Sequence, residues 1–178
     1  MSELKTITAR AAEKGLSFCV AGGHAVITHG YARATFDLDL IIRRDDRQRW
    51  MELAAALGYT LHHQHPVFIQ FNAPTPITKP LDLMLVSDNT FAELSTDAVP
   101  GPPEAREAKV VSLRHLLALK CHAIKHGHKG RIVKDADDVI RLAQANRLDL
   151  NDPELRAIFL KHGPPELYEK VKRICGES

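Results

Sequence analysis

The side chains best suited to chemistry are two aspartates one position apart, Asp37 and Asp39, in the run Thr35–Ile42 (TFDLDLII). Side chains alternate across a strand, so Thr35, Asp37, Asp39 and Ile41 share one face while Phe36, Leu38, Leu40 and Ile42 share the other. Two carboxylates on one face of a mostly apolar strand are costly unless something positive meets them. A divalent cation is the obvious candidate. Oxygen donors one strand repeat apart, roughly 7 Å at Cα, can converge on a single ion or on a pair about 3.5–4 Å apart. Gly22-Gly23 precedes the aspartates, which follow Gly23 by 14 and 16 positions. A strand, a glycine pair and a helix together let backbone N–H groups approach an anion closely. The combination reads as a site for a metal–nucleotide complex. Asp82, inside the apolar run Leu81–Val86 (LDLMLV), suits a third ligand, or a base that takes the proton of an attacking hydroxyl.

These residues need a sheet to hold them. The spacing predicts a helix over Glu3–Lys14, with Leu4, Ile7 and Ala11 inward and Gly15 closing it. A short buried strand over Ser17–Ala21 leads into the glycines, and a helix over His24–Tyr31 follows. After the aspartate strand, Asp45 or Asp46 caps a helix that runs to about Leu57 on a Trp50, Leu53, Ala54 stripe. Thr60–Asn72 reads as one strand carrying an edge-like Pro66. The Pro-rich Ala73–Lys79 reads as a hairpin turn into the Asp82 strand. A short helix follows over Asp88–Asp97. Val99–Pro103 (VPGPP) is the best boundary signal in the chain.

Beyond it the pattern is helical. Ser112 caps a helix with Leu113, Leu116, Leu117 and Ile124 in its stripe, and Lys120 falls inside that stripe. A lysine there must snorkel, pair with a carboxylate, or line a cleft, where it would meet phosphate. Gly127–Gly130 breaks this helix, and another is expected over Ile132–Ala145. Lys134 and Asp138 stand at i,i+4 and suit a surface pair. Weaker helices cover Asp152–His162 and Glu166–Cys175. The histidines offer a competing metal reading: His63 and His65 share a strand face, and His122 and His126 stand at i,i+4 with His128 nearby. Residue 123 is alanine, so no His-Glu-x-x-His zinc motif forms.

The pattern GG-x-A, then G-x-x-R-x-T-x-D-x-D, then an apolar-Asp-apolar strand resembles the nucleotidyltransferase superfamily that includes DNA polymerase β. Within it, the chain looks most like the AbiEii-type toxin nucleotidyltransferases and their small stand-alone relatives. The matching positions are Gly22, Gly23, Arg33, Thr35, Asp37, Asp39 and Asp82. Lys120, Arg131, Lys134, Asp135 and Asp138 resemble, more loosely, the helical motifs that follow the sheet in that group. The resemblance implies an α/β fold: a mixed sheet with flanking helices over residues 1–100, then a helical segment over 104–178, packed as one compact unit. It implies a nucleoside triphosphate donor and Mg²⁺, with Mn²⁺ as a substitute. The three aspartates would hold metal. Gly22, Gly23, His24, Arg33, Thr35, Lys120 and Lys134 would serve the nucleotide. His24 stands where many members carry serine. Arg33 either holds the loop before Asp37 or contacts a phosphate. The implied acceptor is a hydroxyl, on RNA or tRNA, in a toxin–antitoxin or phage-defence setting with a cognate antitoxin protein.

Composition agrees with a soluble globular protein: 44% hydrophobic and 26% charged residues leave room for one core and a polar surface. No apolar run approaches the roughly 20 residues of a membrane helix. Met1–Gly15 lacks the apolar centre of a signal peptide, which makes the cytoplasm the expected location. Three scattered cysteines form neither a disulfide framework nor a zinc motif. The first 109 residues carry 11 bases against 13 acids, and the remainder 13 against 9, a balance that suits a polyanionic substrate. The competing reading is a non-catalytic nucleotide sensor or an antitoxin-like partner protein. Three intact acids argue against it.

Overall fold

The structure is a computed structural model that describes residues 2–127 and 129–176. In chain order the elements are α1 (Glu3–Glu13), β1 (Phe18–Val20), α2 (Gly22–Thr28), β2 (Leu38–Arg43), α3 (Arg47–Ala56), β3 (Thr60–His65), β4 (Phe68–Asn72), β5 (Leu81–Val86), α4 (Asp88–Thr96), β6 (Val99–Pro100), β7 (Lys109–Val110), α5 (Leu113–His126), α6 (Lys129–Ala145), α7 (Pro153–His162) and α8 (Leu167–Gly176). The chain divides into two compact units. The first is the chain through Thr28 with Arg33–Ser112, and the second is His29–Ala32 with the chain from Leu113 onward. Among the described residues no helix is long and apolar enough to cross a membrane.

The first unit is built on one seven-stranded sheet in the order β3-β4-β5-β2-β1-β7-β6. The sheet is mixed. β2 runs parallel to β5 and β1 parallel to β7, while the other neighbours are antiparallel. Leu38, Leu40 and Ile42 of β2, Leu81, Leu83 and Leu85 of β5, and Ile69 and Phe71 of β4 bury one face. On that face Phe18 meets Trp50 of α3 edge-on, with ring centroids 5.6 Å apart. The opposite face carries Asp39, Asp82 and Gln70 in register. α4 covers that face beside β1, where Ser95 meets Cys19 and Phe91 lies under the Arg43 guanidinium.

Several expectations are revised. The aspartate strand begins at Leu38, so Phe36 lies outside the sheet and is 78% exposed. Thr60–Asn72 is a hairpin that turns at Pro66-Val67, where the missing proline N–H costs no ladder bond. The Ala73–Lys79 turn connects β4 to β5. VPGPP is no boundary: β6 pairs with β7, and the division falls after Ser112 instead. α6 starts at Lys129, three residues earlier than the pattern implied.

The second unit is a helical bundle. Leu116, Leu117, Cys121 and Ile124 of α5 pack with Val139, Leu142 and Ala143 of α6, Phe159 of α7 and Val171 of α8 among its buried residues. His29–Ala32 belongs to it through the Tyr31 hydroxyl, which donates to Asp137 Oδ2 at 2.9 Å, and through Asn146, which donates to the His29 carbonyl at 2.9 Å.

Candidate active site

The parallel register of β2 and β5 pairs Asp39 with Asp82. Paired residues of adjacent strands share a face and lie about 4.8 Å apart, so two carboxylates 43 positions apart in the chain become neighbours. Asp37 sits one residue before β2 and joins them. The three half-buried aspartates each place a carboxylate oxygen within 4.8 Å of the others. Three anionic groups this close repel one another and call for a cation. All the donors are hard oxygens, which match Mg²⁺ or Mn²⁺ and not a thiolate-seeking metal. The residues fit such an ion.

Neighbours fix each acid. The Thr35 hydroxyl donates to Asp37 Oδ1 at 3.1 Å. Gln70 Nε2 donates to Asp82 Oδ2 at 3.0 Å. The backbone N–H of Ala21 donates to the Asp39 carbonyl at 2.9 Å, which ties the end of β1 to β2. The glycine pair then passes directly against the acids. Gly22 has φ +54°, and a Cβ there would overlap the Asp39 carboxylate. At Gly23 a Cβ would overlap Thr35, with the Arg33 guanidinium close behind. Arg33 donates to the Ala34 carbonyl at 2.8 Å and so holds the loop that leads to Asp37.

His24 is half-buried, and its Nε2 lies 3.1 Å from Lys79 Nζ. An ammonium has only donors, so the imidazole accepts here. Burial is the main cause of a lowered His24 pKa, the Lys79 charge adds to it, and Asp37 and Glu104 oppose it. The ring that sequence reasoning offered to a phosphate is therefore turned to Lys79. His24 and Lys79 line a cavity of about 290 Å³ together with Glu3, Leu38 and Glu104. Neither Lys79 nor Gln70 was legible as a site residue. The only signals were a lone lysine three positions before Asp82 and a polar residue between Ile69 and Phe71.

In the second unit Lys120 is 7% exposed. Its Nζ lies 2.5 Å from Asp135 Oδ1 and 2.7 Å from Asp138 Oδ2. Of the three roles open to it, pairing with carboxylates is the one observed. Asp138 faces inward to Lys120, so the expected surface pair with Lys134 does not form, and Lys134 is exposed. Among the described residues the metal-ligating side chains that converge are the three aspartates. His63 and His65 lie exposed on β3, and the His122 and His126 rings meet at 4.5 Å. His128 lies outside the described residues.

No protein-family description matches the chain, and no curated protein does. Solved structures do. The lincosamide antibiotic adenylyltransferase LnuA, in lincomycin-bound form, matches at 16% identity over 80% of this chain and 96% of that one, with a TM-score of 0.59. An antigenic nucleotidyltransferase-like protein from Paracoccidioides brasiliensis matches at 18% identity over 96% and 92%, with a TM-score of 0.51. The antibiotic-resistance factor ANT(2'')-Ia in solution matches at 16% identity over 96% and 88%, also at 0.51. With its mixed sheet and helical second unit, the chain has the nucleotidyltransferase fold.

Proposed function

We propose that the protein is a divalent-cation-dependent nucleotidyltransferase that moves a nucleoside monophosphate from a nucleoside triphosphate to an acceptor hydroxyl. The observation that carries this reading is the convergence of Asp37, Asp39 and Asp82 beside a side-chain-free glycine pair. Mg²⁺ held by the three aspartates would neutralise charge that develops on the transferred group. Gly22 and Gly23 let the backbone pass directly against Asp39 and Thr35, where its N–H groups would meet the triphosphate, and Thr35 and Arg33 keep the Asp37 loop in place. In the reaction the acceptor oxygen bonds to the α-phosphorus as the bond to pyrophosphate breaks. Asp82, held by Gln70, would serve as third metal ligand or as the base that takes the hydroxyl proton.

The acceptor in this reading is RNA, such as tRNA, in the cytoplasm, with a cognate antitoxin holding the activity in check. The resemblance to AbiEii-type toxins motivates it. A small hydroxylated molecule is the second reading, favoured by the likeness to a lincomycin-bound adenylyltransferase. The test incubates the protein with each α-labelled nucleoside triphosphate, Mg²⁺, total RNA and cell extract, with Asp37→Asn and Asp39→Asn proteins as controls. Label in RNA that both controls lose is the expected result. Label in a small molecule replaces the acceptor and keeps the chemistry. Activity retained in both controls refutes the metal assignment. Nucleotide binding without any transfer favours the sensor reading.

A further inference from the structure

The sheet face that carries the acids does not end at Asp82. Register continues it outward from Asp82 to Gln70 on β4 and His63 on β3, and one strand repeat further on from Met84 to Phe68 and His65. His63 and His65 are exposed, Phe68 is half-buried, and Met84 is 39% exposed. Here three rings form one platform. His65 stacks on Phe68 with centroids 4.9 Å apart and planes 20° apart, and His63 leans on the same ring at 5.5 Å. Side chains two apart on a strand are separated by roughly 7 Å, so Phe68 and Met84 lie about that far from Gln70 and Asp82, while His63 stands directly beside Gln70 on the next strand. At the far end of the platform His65 also lines an open cleft of about 610 Å³ with Arg44 and Arg47. Among the described residues neither arginine pairs with a carboxylate.

We infer that the β3–β4 hairpin is the acceptor platform and that it takes the unpaired end of a single-stranded RNA. Bases stack on Phe68, His63 and His65, and a phosphate lies in the Arg44–Arg47 cleft. The inference rests on the transfer reading above. Geometry and surface chemistry both select this occupant. Transfer is roughly in line, so the attacking hydroxyl arrives opposite the departing pyrophosphate. The glycine pair follows β1 and abuts Asp39, whereas the hairpin lies beyond β5 on the Asp82 side of the acids. Donor and acceptor then occupy opposite sides. Exposed histidine rings packed on Phe68 and bordered by arginines also match the stacking-plus-phosphate pattern of single-strand binding.

The test is fluorescence anisotropy with a short labelled single-stranded oligoribonucleotide of mixed sequence and with its duplex. It compares the wild-type protein with His65→Ala, Phe68→Leu and the Arg44→Ala/Arg47→Ala double variant. His65 is exposed, so His65→Ala keeps the test valid if Phe68→Leu perturbs folding. The expected result is a preference for the single strand and an affinity loss of about ten-fold for each ring variant. In the arginine variant the salt slope falls by about 0.7, the value for one single-strand phosphate. Mg²⁺–ATP binding, followed by thermal shift in the same proteins, reads the donor site separately. Equal affinity of all variants, or equal binding of duplex, in protein that still binds Mg²⁺–ATP overturns the platform and leaves the transfer reading intact. Loss of nucleotide binding by the wild type overturns both.

Discussion

Replacing Lys120 by methionine distinguishes a lysine that binds nucleotide from one that holds the helical unit together. The ammonium is buried between Asp135, 1% exposed, and Asp138, fully buried. Methionine retains most of the apolar stem and its volume, so the packing change is small. What is lost is the only buried cation in the cluster among the described residues. Arg131 lies 3.4 Å from Asp135 Oδ2, but it is 64% exposed and screened by water. Two carboxylates would remain buried and mutually repelling. Removing one partner of a buried ion pair costs about 3–5 kcal/mol. At roughly 2–4 °C per kcal/mol for a chain of this size, the melting temperature should fall by about 6–20 °C. Far-UV circular dichroism during urea and thermal unfolding measures both quantities. The triple variant Lys120→Met/Asp135→Asn/Asp138→Asn removes the stranded charges and should recover much of the loss. Stability of Lys120→Met within about 1 kcal/mol of wild type would refute this reasoning. Weakened nucleotide affinity with that stability intact would return Lys120 to the phosphate role its helical stripe suggested.

Two further perturbations follow from the same geometry. Gly22→Ala puts a side chain into a left-handed conformation at about 1–2 kcal/mol and drives its methyl into the Asp39 carboxylate. Displacing a reacting group by about 1 Å costs on the order of 100-fold in rate, so transfer should fall by that order. Gly58→Ala, also at positive φ but away from the acids, should lose stability alone; wild-type transfer by Gly22→Ala would sink the argument. At high pH, burial pushes the Cys121 thiol and the Tyr59 hydroxyl up to about 12. The folded state then holds protons that the unfolded chain releases near its ordinary pKa values of about 9 and 10. Stability contributed by these groups is therefore complete below about pH 9 and is lost as pH rises towards 12. Cys121→Ala should flatten this decline in urea midpoints measured between those limits, and an unchanged slope would contradict it.

Much of the site was legible because its parts are local. The spacing of Gly22-Gly23, Thr35, Asp37 and Asp39 spans fewer than twenty residues, so local chain geometry keeps these groups near one another even though β2 begins only at Leu38, after Asp37. β5 agrees with its apolar run, and α1, α4 and α5 begin where their apolar stripes begin. The β3–β4 hairpin was missed because β3 is exposed along its whole length, so no burial alternation marks where one strand stops and the next starts. VPGPP looked like a boundary because proline and glycine signal a turn, and a turn inside a sheet is written in the same residues.

The sequence by itself determined that a glycine pair precedes an apolar strand carrying Asp39, with Asp37 two positions ahead of it. Only the tertiary structure decided what meets them. Parallel pairing of β2 with β5 brought Asp82 to Asp39, antiparallel pairing brought Gln70 to Asp82, and chain closure brought Lys79 to His24. The packing of α5 on α6 gave Lys120 two aspartates in place of a phosphate. These partners lie between 12 and 55 positions apart in the chain. Local propensity acts over a few residues, whereas strand register and helix docking are fixed by burial of the whole apolar surface.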